Sequence, residues 1–244
     1  ESARKFFYAR KLFREMRIQL YAGIREIALL LTLVSIGVTL FFIQNRTSEL
    51  NRAISPVQKN ELFLRGIFAP ESTNGLSSLK LIKTYNTRFD LISLYIPWGE
   101  GHTSELPHSL IDSIYQNGST PMITWEPWQN LFKPYLIKDT DRKVFQKITK
   151  GEYDVYLAGF ANQVRLLNRP VFIRFAHEAD NPFYPWSKSG DNTPGEFKAA
   201  WKYVHEYFIR HGAFNAIWVW NPWKANAVKA YFPGKDYVDW IGIT

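Results

Sequence analysis

The chain has no cysteine, which excludes structural disulfides and thiolate metal sites but indicates no compartment. No G-x-G-x-x-G or G-x-x-x-x-G-K-[ST] follows any candidate strand, so the usual phosphate-cradling loops are missing. His177-Glu178 is not an H-E-x-x-H zinc pair, because Asn181 stands where the second histidine would be. Acidic residues are the minority, 22 Asp and Glu against 30 Lys and Arg. Residues 1–26 alone hold seven Lys and Arg against three Glu, so this segment and the remaining 218 residues each carry a balance of +4. An excess that mild over the bulk of the chain makes no electrostatic footprint for nucleic acid.

Charge is missing altogether from residues 27–43, IALLLTLVSIGVTLFFI. Seventeen uncharged residues meet the short end of what a bilayer-spanning helix requires, roughly 17–25. A buried core helix is the alternative. No small-residue cleavage site follows, which argues against a signal peptide. The expectation is one transmembrane helix at 27–43, a basic cytoplasmic juxtamembrane segment at 1–26 and a polar stalk at 44–60. By the positive-inside rule the remainder lies outside the cytoplasm. Asn45-Arg46-Thr47 fits a glycosylation sequon. The chain opens without methionine on a basic amphipathic run, as a segment of a longer protein would.

From residue 61 the pattern alternates. Apolar runs at 62–70, 89–98, 121–128, 171–176, 216–221 and 237–244 read as strands. Helical spacing appears at 76–85, 105–116, 153–167 and 194–211. A polar loop containing a short helix follows the third strand. Thr193-Pro194-Gly195-Glu196 reads as a capping box with proline at the first helical position. Six near-continuous apolar strands alternating with helices indicate an α/β fold with a parallel sheet covered by helices. The expected architecture is a (β/α)8 TIM barrel, incomplete here at about six β/α units, because eight need about 250 residues. An open, doubly wound sheet is the alternative.

Chemistry concentrates where strands end. VFIRF at 171–175 runs into His177 and Glu178, with Phe183, Tyr184 and Trp186 just beyond. The other strand ends offer Glu71, Trp98 with Glu100, Trp125-Glu126-Pro127-Trp128, and Trp220-Asn221-Pro222-Trp223. In a barrel these positions form the C-terminal rim, where catalytic groups sit. Carboxyls among aromatic rings suit a sugar cleft: indole faces stack on pyranose C–H faces, and carboxyls can exchange protons with a glycosidic oxygen. Candidate substrate-binding residues are Trp98, Glu126, Trp128, Tyr184, Trp186, Trp220 and Trp223. Each has a plainer reading. Glu178 could be a structural partner of Arg174, His177 a hydrogen-bonded core histidine, and Trp98, Trp186 and Trp223 core rings. Asp180, Asp191 and Asn192 read as loop residues.

Arg174-Phe-Ala-His177-Glu178 followed by Tyr184-Pro185-Trp186 resembles the R-x-x-H-E…Y-P-W segment of glycoside hydrolase family 26, the mannanases and related endo-β-glycanases. Thr193-Pro194 ahead of Trp201 and His205 is similar too, as are the run from Ile217 to Pro222 and that from Tyr231 through Gly234 to Gly242. The resemblance covers about residues 62–244 and is strongest over 120–244. It implies a barrel that hydrolyses a β-linked polysaccharide, mannan-like or β-glucan, with retention of configuration. Glu178 is then the general acid/base, and His177 and Arg174 hold the polar network around it. The family's nucleophile, a second glutamate, ends the seventh strand, beyond Thr244. No cofactor or metal is implied. Asp180-Asn181-Pro182-Phe183 departs from the family's Asn-Gly-x-Trp, which alters the nearest sugar subsite. Taken with the apolar run, the resemblance suggests a membrane-anchored endo-β-glycanase in polysaccharide synthesis or remodelling, its partners the polysaccharide, the lipid bilayer and a polysaccharide synthase or other membrane protein. The alternative is a non-catalytic glycan-binding module that guides polymer through a membrane synthase or export complex.

Overall fold

The structure is a computed structural model that describes residues 27–29, 31–42, 44, 64–69, 76–99, 104–128 and 142–243. It divides into two compact units, Glu1–Asn45 and Arg46–Thr244. In the first, the described residues are helical and their apolar side chains, from Ile27 to Phe42, are exposed. No helix among the described residues is long and apolar enough to cross a membrane. This overturns the single-pass anchor and, with it, the cytoplasmic N-terminus and the extracytoplasmic barrel; nothing among the described residues supports the bilayer or a membrane synthase as partner. The basic segment 1–26, the sequon, and Glu71 and Glu100 lie outside the described residues.

The second unit is a six-stranded parallel sheet whose spatial order follows the chain: β1 (Gly66–Ile67), β2 (Leu91–Pro97), β3 (Thr120–Glu126), β4 (Val171–Phe175), β5 (Ala216–Trp220) and β6 (Trp240–Ile241). A doubly wound sheet reverses its order at a switch point. This sheet never does, so it curls one way, into a half-barrel. Outside it lie α1 (Leu76–Tyr85), α2 (His108–Gln116), α3 (Val144–Thr149), α4 (Asp154–Leu167), α5 (Pro194–Arg210) and the single turn α6 (Val228–Tyr231). The first and last strands are two residues each. The capping box forms in both directions between Thr193 and Glu196. Asn168 ends α4 in the left-handed region at φ 47°, a conformation asparagine tolerates better than most residues.

Strand parity sorts the side chains. On β4, Val171, Ile173 and Phe175 join the large cluster against the helices, while Phe172 packs on Ile217, Val219, Met122 and Leu91 on the concave face. The helix side holds most of the tryptophan: Trp98, Trp125, Trp201, Trp218 and Trp220 are all fully buried there. Aromatic content therefore went mainly into one stacked core, such as Trp125 on Phe160 at 4.3 Å. On the concave face the polar residues rise toward the rim: Ser93 then Tyr95 on β2, Thr124 then Glu126 on β3, Arg174 on β4, and Asn221 just past β5. Below Arg174 and Tyr95 lies a cavity of about 250 Å³ reaching down to Met122 and Leu91.

Candidate active site

Arg174 stands at the centre of this polar layer. Its guanidinium donates to Thr124 Oγ1 at 2.6 and 2.9 Å, to Tyr95 Oη at 3.1 Å and to Asn221 Oδ1 at 3.2 Å. One side chain thus laces β2, β3, β4 and the end of β5. No Arg174–Glu178 ion pair occurs among the described residues, so Glu178 is not the arginine's structural partner.

Beyond β4 the chain turns sharply. Ala176 and Glu178 both take left-handed φ values, 42° and 51°. For non-glycine residues this costs on the order of 1–2 kcal/mol each, and neighbours hold it in place. Ala176 N–H donates to Trp125 O at 3.0 Å, and Glu178 N–H to Asn221 O at 2.7 Å. The glutamate is therefore pinned between the ends of β3 and β5. Its Oε2 accepts from Asn181 Nδ2 at 2.7 Å, which orients the carboxylate. Backbone strain concentrated at a rim carboxylate is a common mark of a functional residue.

His177 lies between the two left-handed residues, buried. Its Nε2 meets Tyr184 Oη at 3.0 Å, and its carbonyl accepts from Trp186 Nε1 at 2.9 Å. Burial, and then the Arg174 charge, push its pKa well below the ordinary histidine value, so the ring stays neutral. Glu126 is 2% exposed. Its Oε2 accepts from Trp128 Nε1 at 3.2 Å. Burial raises this carboxyl from 4.5 to about 7, against the opposing Trp128 hydrogen bond and the Arg174 charge.

That shift has a measurable consequence. Between 4.5 and about 7 the folded chain binds a proton that the unfolded chain has released, so stability falls as pH rises through this window. The loss amounts to about 3 kcal/mol. Glu126→Gln is expected to remove that slope. Urea unfolding at a series of pH values checks it, and a variant that weakens with pH as steeply as its parent contradicts the assignment.

The expected ligand-facing residues divide. Trp98 and Trp220 follow the helix-facing parity: Trp98 packs on Trp125, Tyr153 and Phe175, and Trp220 on Phe232. Neither has a face for a sugar, which corrects their reading as platforms. Trp186 is buried under Tyr184, the rings stacked at 4.5 Å, so it supports the rim instead of forming it. Trp128 is buried and holds Glu126. Tyr184 and Trp223 remain half-exposed, and Phe183, on the loop beside Glu178, is 72% exposed. Asp180, read as a plain loop residue, accepts from the backbone N–H groups of Trp223 and Lys224 at 2.8 and 3.0 Å. It ties the loop after β4 to the loop after β5. Tyr95 and Thr124 belong to the site network and were not singled out from sequence. Their even spacing from Ser93 and Met122 along the strands was the available signal.

The loop that carries Tyr184 and Trp186 is closed by Asn192 and Gly190. Asn192 Oδ1 accepts from Phe145 N–H, and its Nδ2 reaches the Gly190 and Ser187 carbonyls. A Cβ on Gly190 would sit 1.7 Å from Pro185 O, which forces main chain to move. Gly190→Ala should cost about 2–3 kcal/mol, read as a lowered thermal midpoint. An unchanged midpoint would mean that the loop packs otherwise.

The profile of Glycosyl hydrolase family 26 matches residues 115–244, more than half the chain. The chain belongs to glycosyl hydrolase family 26. Among its relatives, Endoglucanase H of Acetivibrio thermocellus is 29% identical over 164 residues, which are 64% of this chain and 17% of that protein. Beta-1,3-xylanase TXYA of a Vibrio species is 28% identical over 105 residues, 41% of this chain and 22% of the relative. The chain thus spans about a fifth of the length of these curated relatives. The fold is shared with a modular endo-β-1,4-mannanase of Cellulomonas fimi: TM-score 0.60 at 17% identity, over 82% of this chain and 51% of that one. The matched residues contain the whole segment from β3 to β6, with Glu126, Arg174, His177 and Glu178.

Proposed function

We propose that this family 26 chain carries the acid/base residue of an endo-β-glycanase site that hydrolyses β-linked polysaccharide with retention. The observation that supports this most directly is Glu178: a carboxylate at the rim end of β4, pinned in a left-handed turn by Asn221 and oriented by Asn181. In a retaining mechanism one carboxyl protonates the leaving glycosidic oxygen while another attacks the anomeric carbon, the two standing about 5–5.5 Å apart. Glu178 takes the first role. After the leaving sugar departs, its carboxylate removes a proton from water, which opens the glycosyl–enzyme bond. The second carboxylate is the glutamate that the family resemblance puts on the seventh strand. Arg174 and His177 maintain the polar floor. Exposed Phe183 and half-exposed Tyr184 and Trp223 offer apolar faces to sugar rings.

The relatives named above act on different chains, a β-1,3-xylan for one and a β-1,4-mannan for another by their names, so the family leaves the polymer open. A β-mannan or β-glucan is the proposed class. Assay of the protein extended through the seventh strand on β-mannan, mixed-linkage β-glucan and β-xylan, beside its Glu178→Ala variant, tests the reading. Release of new reducing ends from at least one polymer, lost in the variant, is expected. Binding without cleavage by the parent would place the chain among glycan-binding modules instead.

A further inference from the structure

We propose that Glu126 is a positioning residue: its protonation selects the tautomer of His177 and so sets which way the Tyr184 hydroxyl donates. The inference concerns the site of the proposed hydrolase, but its test needs no turnover. His177 Nε2 is engaged by Tyr184 Oη at 3.0 Å. Its Nδ1 is buried with no hydrogen-bond partner among the described residues. The polar atom it faces is Glu126 Oε1, at 4.0 Å. Trp128 occupies the other carboxyl oxygen, so the oxygen facing the ring is the unengaged one. At 4.0 Å the two groups act on each other through the field, not through a formed hydrogen bond.

A neutral imidazole has one N–H, and the ring's surroundings decide which nitrogen carries it. An ionised Glu126 accepts only, so it draws the N–H to Nδ1. Nε2 then accepts, and the Tyr184 hydroxyl must donate into the ring. A protonated Glu126 presents an O–H, which favours a bare Nδ1 and an N–H on Nε2. Tyr184 Oη then accepts, and its hydrogen is free to turn toward the rim, where the charge of Glu178 acts on the same hydroxyl. The proton on Glu126 is thus converted into a hydrogen-bond donor at the sugar-facing side.

The setting suits a change of tautomer over a change of charge. Burial and Arg174 keep the ring neutral, while burial leaves Glu126 poised near neutrality. The ring itself is clamped. Trp186 holds its carbonyl, Tyr95 from β2 packs edge-on at 5.8 Å, and Tyr184 packs at 4.7 Å. Among the described residues, the titratable and charged groups acting on this cluster are Arg174 from β4, Glu178 and Tyr184 from the following loop, and Tyr95 from β2.

The test is 15N NMR of the protein labelled at histidine, which reports the nitrogen that carries the proton. The His177 resonance is assigned by its loss in His177→Asn. From about pH 5.5 to about pH 8.5, a span centred on the Glu126 value of about 7, His177 is expected to pass from the Nε2–H to the Nδ1–H form with a midpoint near that value. Glu126→Gln should hold one tautomer throughout. Trp128→Phe, which removes the hydrogen bond that lowers the Glu126 value, should move the midpoint upward and covers the case in which Glu126→Gln does not fold. A single tautomer across the range in the parent, an imidazolium in place of a tautomer change, or a midpoint unmoved in Trp128→Phe overturns the proposal. Absence of hydrolysis would leave it standing, and a fixed tautomer would leave the role of Glu178 untouched.

Discussion

Glu178→Ala is expected to lower the rate of polysaccharide hydrolysis by about 10²–10⁴-fold, the usual worth of a positioned general acid/base. The carboxyl acts twice, so the two steps should respond differently. A poor leaving group, such as a sugar hydroxyl, needs the proton, and its departure should suffer the full loss. An aryl glycoside with an acidic leaving group needs little protonation, so its first step should be nearly spared and the loss should move to the water-dependent second step. Burst kinetics with an aryl glycoside separate the two. Equal losses on both substrates would mean that Glu178 holds the substrate but transfers no proton. Its backbone is held by Asn221 O and its neighbours by Trp125 O, so alanine should leave the turn intact. Matching thermal midpoints for variant and parent are expected on that ground.

Arg174→Ala is expected to damage the fold more than any other change at this site, by about 4 kcal/mol. The guanidinium donates to Thr124, Tyr95 and Asn221, and a hydrogen bond to a charged group is worth about 1.5–3 kcal/mol. The bonds share one side chain, so their values do not add. Lysine should recover less than half of the loss, because a point charge cannot reach three strands as the planar fork does. The substitution also has an electrostatic sign. Arg174 lowers the pKa of both Glu126 and His177. Without it, the Glu126 carboxyl should rise above about 7 and the His177 ring should move back toward its ordinary value. Urea unfolding reads the stability, and NMR titration of the two side chains reads the shifts. A variant as stable as its parent would contradict the lacing role, and an unchanged Glu126 would contradict the electrostatic one.

Much of the site was legible because its order along the chain is its order around the sheet. Each apolar run became a strand and each strand end a rim position, so His177 and Glu178 could be singled out from VFIRFAHE, and Arg174 from the R-x-x-H-E resemblance. The tryptophans could not be sorted that way. Trp98 and Trp220 sit at strand ends, as rim residues do, but parity turns them to the helices. The anchor reading failed for a different reason. Uncharged composition over residues 27–43 measures hydropathy alone, and no helix among the described residues is long and apolar enough to cross a membrane.

The sequence by itself determined the alternation of strands and helices, the capping of α5 and the family, because these depend on local periodicity and on short ordered motifs. Only the tertiary structure decided the electrostatics of the rim. The value of Glu126 near 7 arises from burial, against the neighbouring Trp128 hydrogen bond and the charge of Arg174, which lies far along the chain. Desolvation is a property of everything that surrounds a group, and no stretch of sequence around Glu126 contains that information.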